Sequence, residues 1–175
     1  VGDTMEVKLP EADAPLTAAV MTLSDKGSKG ERVDTSGPRA AEILQAAGYE
    51  IIEMVLLPDE QKRIEHELKR LSDQRQVDLI ITTGGTGMSV RDCTPEATLA
   101  VATRNVPGIA EAIRAGSMQI TKRAMLGRGA SVLRNNTLIV NLPGSKKAVE
   151  ESLELVLPEL EHGLKILKGS ASECG

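Results

Sequence analysis

Between Val77 and Ala102 the chain reads as strand, glycine turn and helix, and this order narrows the folds open to it more than any other stretch. Val77-Asp78-Leu79-Ile80-Ile81 is a short β-branched apolar run. Gly84-Gly85-Thr86-Gly87 interrupts it, and Thr94-Pro95-Glu96 predicts a helix start with Thr94 as cap and Pro95 at the first helical position. The carboxyl end of a strand is where open α/β sheets bind ligands. Glycine reaches positive φ without a Cβ clash and lets backbone N–H groups approach an anion, so the turn suits phosphate. Its spacing is neither the lysine-bearing phosphate loop nor the dinucleotide fingerprint. An ordinary flexible loop is the bland alternative, opposed by Arg91, Asp92 and the helix start that follow directly.

Strand-like and helix-like segments alternate along the rest of the chain. Thr17 to Leu23 reads as a buried strand, and Ser24 to Asp34 as a polar loop. Ser36-Gly37-Pro38 opens a helix that Gly48 closes, and Tyr49 to Leu57 reads as a second strand. Pro58-Asp59-Glu60 starts a helix with Ile64, Leu68 and Leu71 on one face. Another follows Val106-Pro107-Gly108. Arg134-Asn135-Asn136-Thr137 marks a hairpin between two β-rich stretches. Ser145 caps a terminal helix with an apolar stripe from Val149 to Leu167, which Pro158 either kinks or divides in two. This pattern predicts an α/β three-layer α/β/α sandwich with a mostly parallel sheet and a short antiparallel edge. Residues 15–168 are expected to form one domain, between a flexible arm at 1–14 and a disordered tail at 169–175.

With no Trp or Phe and Tyr49 as the single aromatic residue, the core must be aliphatic and base-stacking platforms are nearly excluded. A net charge of −4 with signs interspersed gives no basic field for nucleic acid, so any phosphate site must be local. Cys93 and Cys174 suggest neither a disulfide framework nor a zinc cluster. No apolar run approaches the roughly 20 residues that span a bilayer. A cytoplasmic protein without membrane or nucleic-acid partners is expected.

Four segments should meet at one sheet edge: Thr22-Leu23-Ser24-Asp25, Leu57-Pro58-Asp59-Glu60, Gly84 to Asp92, and Asn141-Leu142-Pro143-Gly144-Ser145. Asp59 and Asp92 are the carboxylates selected there, because hard oxygen ligands suit Mg²⁺ in phosphoryl or nucleotidyl transfer. Each has a plainer reading: Asp59 complements a helix dipole, or Asp92 pairs with Arg91 at the surface.

The run from Thr82 to Thr98, Thr-Thr-Gly-Gly-Thr-Gly-x-x-x-Arg-Asp-x-Thr-Pro-Glu-Ala-Thr, closely resembles the signature of the molybdopterin adenylyltransferases of molybdenum cofactor biosynthesis. The resemblance extends to Leu23-Ser24-Asp25, Ser36-Gly37-Pro38, Pro58-Asp59-Glu60, Val106-Pro107-Gly108 and Asn141-Leu142-Pro143-Gly144, from about Pro15 to Lys168. It implies transfer of AMP from ATP to the terminal phosphate of molybdopterin, with Mg²⁺, a homotrimeric assembly and an enzyme of molybdenum insertion as possible partner. Carried over, Asp59 and Asp92 are catalytic and metal-binding. Gly84, Gly85, Thr86 and Gly87 form the nucleotide turn, Arg91 is a cationic clamp, and Glu96 orients metal or nucleotide. Ser24, Asp25, Ser36 and Gly37 line the adjoining pocket, while Pro143, Gly144 and Ser145 face the pterin. Met88-Ser89-Val90 departs from the usual family residues. Cys93 reads as a small hydrophobe, and His66 and His162 as surface residues. Two alternatives stand beside this activity: a pyrophosphatase acting on ADP-ribose-type substrates, and a trimeric protein that binds nucleotide or pterin without turnover.

Overall fold

A computed structural model describes residues 14–169. All but one residue each of the expected arm at 1–14 and tail at 169–175, and Cys174, lie outside the described residues. The strands are β1 (Thr17–Leu23), β2 (Glu50–Leu57), β3 (Leu79–Thr83), β4 (Arg104–Asn105), β5 (Ser131–Arg134) and β6 (Thr137–Leu142). They form one sheet in the order β2-β1-β3-β6-β5-β4. The first four in that order run parallel; β5 is antiparallel to β6 and β4 to β5, which is the expected antiparallel edge.

The helices are α1 (Asp25–Ser28), α2 (Ser36–Ala46), α3 (Gln61–Lys69), α4 (Thr94–Val101), α5 (Pro107–Met118) and α6 (Lys146–Leu167). Strand alternation divides the core into two layers. Ala18, Val20, Leu79, Ile81, Val140 and Leu142 pack with α2, α5 and α6 on one face; Ala19, Met21, Ile80 and Ile139 pack with α3 and α4 on the other. These strand side chains are aliphatic and mostly small or β-branched, and Tyr49 adds the one aromatic ring, to the first of the two layers. Among the described residues no helix is long and apolar enough to cross a membrane.

The expected elements recur with local differences. The loop after β1 contains the one-turn α1, capped by Ser24, whose Oγ accepts from Gly27 N at 2.9 Å. A π-helical turn, Arg70–Gln74, continues α3, and a 3₁₀ turn, Lys122–Leu126, follows α5; neither has a periodic apolar signal long enough to read. Asn135, at φ 50°, opens the β5–β6 hairpin. Ser145 caps α6 by accepting from Ala148 N at 3.1 Å, and the helix runs unbroken through Pro158. It survives because its stripe Val149, Leu153, Val156, Leu160 and Leu164 is buried along its whole length, outweighing one lost backbone bond.

The cap of α4 differs from expectation. Cys93 occupies the cap position and Thr94 is already helical. The Thr94 hydroxyl instead donates to Gly84 O at 3.0 Å and its N–H to Gly85 O at 3.1 Å, so the helix start braces the glycine turn.

Candidate active site

Because β1, β2, β3 and β6 are parallel, Leu23, Leu57, Thr83 and Leu142 all end at one edge. Ser24 N donates to Leu57 O at 2.8 Å, Gly84 N to Leu142 O at 3.2 Å, and Thr83 Oγ1 to Pro143 O at 2.8 Å, so the loops leave as a connected rim. The glycine turn begins at Gly84 and Gly85, with φ of 96° and 68°. A Cβ on Gly84 would strike the Leu23 carbonyl, and one on Gly85 would strike Thr94 Oγ1 and lie 2.9 Å from Asp59 Oδ1. Glycine is required at both positions by conformation and by space.

Gly84, Gly85, Asp92 and Gly144 border two cavities. One, of about 600 Å³, is polar and includes Ser24, Arg32, Asp34, Asp59, Ser36 and Lys146 in its wall, with Ser145. The other, of about 490 Å³, combines apolar Ala110, Ile113 and Leu126 with Arg114 and Arg123, and also touches Thr86, Gly87 and Pro143. Asp25, Gly37, Arg91 and Glu96 border neither.

Asp59 and Asp25 hold each other through the backbone. Asp59 N donates to Asp25 Oδ1 at 3.0 Å and Asp25 N to Asp59 Oδ2 at 3.2 Å. Asp59 Oδ1 is buried and accepts no hydrogen bond. Burial raises the Asp59 pKa above the ordinary carboxylate value, and the nearby charges of Asp25 and Asp92 push it further the same way. Asp25 moves in the opposite direction because the Arg91 guanidinium grips both its oxygens, each at 3.0 Å. Asp59 makes no capping hydrogen bond to α3, whose N-cap position is Glu60, and its Oδ2 is engaged by Asp25 N instead. Nor is Asp92 the partner of Arg91: Asp92 Oδ2 accepts from Ser89 N at 3.1 Å. Glu96 is held by Arg128 at 2.7 Å.

On the opposite wall, Asp34 accepts from Thr22 Oγ1 at 2.7 Å and from Gly37 N at 3.0 Å, satisfying the first turn of α2. Ser36 Oγ donates to Gly144 O at 2.5 Å. Beneath the turn, Asn141 Nδ2 donates to Thr82 Oγ1 and Thr98 Oγ1, each at 3.0 Å. Cys93 is partly buried against the aliphatic layer under α4, and that burial pushes its thiol pKa up. His66 and His162 are exposed. Sequence reasoning did not find Arg32, Asp34, Lys146, Arg114, Arg123 or Arg128. Only Asp34 carries a local signal, lying two residues before Ser36 at a helix start.

Residues 19–162 match the family described as the probable molybdopterin binding domain. Over 153 residues the chain is 38% identical to the molybdopterin adenylyltransferase of Helicobacter pylori strain J99, covering 86% of this chain and 87% of that protein. Over 143 residues it is 43% identical to the molybdopterin adenylyltransferase of Haemophilus influenzae, covering 81% and 73%. The crystal structure of the molybdopterin biosynthesis enzyme MoaB from Thermus thermophilus is similar with a TM-score of 0.84 at 44% identity, covering 88% of this chain and 97% of that one.

Proposed function

Because this chain belongs to the probable molybdopterin binding domain family, we propose that it is a molybdopterin adenylyltransferase. It moves AMP from ATP to the terminal phosphate of molybdopterin and releases pyrophosphate. The observation that carries the reading is the buried, unpartnered Asp59 Oδ1, set against Gly85 at the wall shared by the two cavities.

The polar cavity, with Arg32 and Lys146, takes the triphosphate of ATP. The second cavity, apolar with Arg114 and Arg123 in its wall, takes the pterin and leads its phosphate toward Asp92. A substrate phosphate oxygen attacks the α-phosphorus. A new P–O bond forms as the bond to the bridging oxygen breaks, and that oxygen's electron pair leaves with pyrophosphate. No side-chain nucleophile is needed, since the attacking phosphate is already anionic. The protein holds donor and acceptor in line, and the backbone N–H groups of the turn beyond Gly84, whose own N–H is taken by Leu142 O, face the charge on the α-phosphate.

The donor set fits Mg²⁺. Asp59 Oδ1 has a free buried lone pair, Asp92 borders both cavities, and no group of three or more acidic, His or Cys side chains among the described residues forms a protein-only cage. Mg²⁺ is commonly held by one or two carboxylates together with substrate phosphates, and it would neutralise phosphate charge here. Asp25 and Arg91 fix Asp59. The domain is read as residues 15–168, working in the cytoplasm as a homotrimer that passes its product to a molybdenum-inserting enzyme.

The test is pyrophosphate release from Mg²⁺-ATP with and without molybdopterin, followed by mass detection of adenylylated molybdopterin. Product dependent on molybdopterin is expected. ADP-ribose cleavage, or ATP binding without turnover, would replace this reading with one of the two alternatives.

A further inference from the structure

We infer that Arg128 is the positioning residue for Asp92: a strut that sets the width of the turn carrying that carboxylate. The inference rests on the function proposed above. Asp92 borders both cavities, yet the segment leading to it packs poorly, with Met88 72% and Val90 102% exposed. Within the segment, Asp92 N donates to Ser89 O at 3.0 Å and Ser89 N to Asp92 Oδ2 at 3.1 Å. Those bonds close a small turn that swings as a unit unless its ends are tied.

Arg128 ties both ends. Its Nε donates to Gly87 O at 2.7 Å and its Nη2 to Asp92 O at 3.1 Å, so one planar group spans residues 88–91. Its backbone N–H donates to Thr86 O at 2.8 Å, fixing the same turn from the main chain. Nη1 is held by Glu96 at 2.7 and 3.0 Å, which stops the guanidinium from rotating and balances its charge. With all three guanidinium nitrogens engaged by protein, Arg128 acts through Asp92 and Glu96 acts through Arg128. A lysine ammonium is a point donor and cannot reproduce the fork. The preceding segment, with Arg123, Ala124 and Leu126, lines the apolar cavity, so displacement of that wall reaches Asp92 through one side chain.

The experiment compares wild type, Arg128→Ala, Arg128→Lys and Glu96→Gln by thermal unfolding, amide hydrogen exchange and the kinetics of molybdopterin-dependent pyrophosphate release. In folded Arg128→Ala the amides of Ser89, Asp92 and Thr94 should exchange faster, and kcat should fall roughly 10- to 100-fold with a smaller change in KM for ATP. Arg128→Lys should recover only part of both losses, and it carries the comparison alone if the alanine variant does not fold. Glu96→Gln removes the balancing charge and one of the two oxygens that accept from Nη1, so it should speed exchange of the same amides and lower kcat, each by less than Arg128→Ala. Unchanged exchange, or wild-type kcat in folded Arg128→Ala, overturns the strut. Loss of activity in Glu96→Gln with exchange intact overturns the role given to Glu96. If wild type itself releases no pyrophosphate, the proposed function fails, while the exchange comparison still decides the strut: faster exchange sustains it and unchanged exchange removes it.

Discussion

Asp59 and Asp25 are neighbours with opposite titrations, and the cause is what each oxygen touches. Asp25 has its oxygens on Arg91, whereas Asp59 keeps one buried oxygen bare. For Asp59 the folded pKa lies above the ordinary 3.8. Between those two values the folded chain retains a proton that the unfolded chain has released, and at higher pH the ionised group costs stability. In the absence of Mg²⁺ and ATP, Asp59→Asn should therefore have a Tm at or above wild type near neutrality. The difference should shrink as pH falls toward the ordinary carboxylate range, and a Tm well below wild type at pH 7 would contradict this. Asp25 behaves in reverse: its depressed pKa gives stability above the ordinary value that is lost as pH falls through the folded value. Exposure of the Arg91 partner keeps that contribution small. Catalysis should respond to the loss of charge in the opposite sense to stability. Asp59→Asn and Asp92→Asn should each lower kcat for pyrophosphate release by roughly 100-fold or more while unfolding stays cooperative, because preorganised charge and alignment are lost together. Activity unchanged in both variants would remove the metal-binding role. The place of both aspartates at the strand-end rim was legible because each follows a recognisable break, Pro58 or the glycine run. Arg128 was not: its partners are mostly backbone carbonyls 36 to 42 residues away, which no local pattern encodes.

Elements were legible where an apolar period was long enough to outvote local signals. The stripe of α6 gave its extent, yet Pro158 left two shorter helices open beside one in sequence; tertiary burial of Val156, Leu157 and Leu160 decided for one. Pro158 still withholds the N–H that would bond Glu154 O and crowds that carbonyl. Its side chain is exposed, so little packing opposes its removal. Pro158→Ala should therefore stabilise the protein by about 1–3 kcal/mol in urea unfolding, short of the full helix-interior penalty if the helix has already bent to accommodate the ring. A destabilised variant would mean that the proline ring itself is needed where α6 follows the sheet. Ser145→Ala, which removes the bond to Ala148 N, should cost about 1 kcal/mol in the same measurement. The one-residue shift at α4 has a similar origin: Thr94 looks like a cap in sequence, but its hydroxyl finds a better use bracing Gly84 across the turn. The π-helical and 3₁₀ turns are each only five residues long and were invisible for that reason.

At the scale of the whole molecule, parallel order does what no single residue can, bringing the ends of β1, β2, β3 and β6 to one rim from positions 23, 57, 83 and 142. That convergence followed from strand–helix alternation and right-handed crossovers. The division of the rim into two cavities did not, because it depends on how Gly144 approaches Gly84, where a Cβ added to Gly144 would lie 3.3 Å from Gly84 Cα. With the two cavities sharing Gly84, Gly85 and Asp92, a ligand in the polar cavity ties together loops from all four strands. Such a ligand binds the native state alone, so it stabilises by mass action, by about 2.7 kcal/mol at a hundredfold excess over its Kd. Mg²⁺-ATP should accordingly raise the Tm of wild type in a concentration-dependent way. EDTA should cancel most of the rise, and Asp92→Asn should reduce it because the carboxylate at the shared wall is gone. ADP-ribose should give a smaller shift, since it lacks the triphosphate proposed to meet Arg32 and Lys146 in the wall of the polar cavity. An equal or larger shift with ADP-ribose would turn the polar cavity over to pyrophosphate cleavage. A shift with ATP that is indifferent to both EDTA and Asp92 would separate nucleotide binding from the two aspartates altogether.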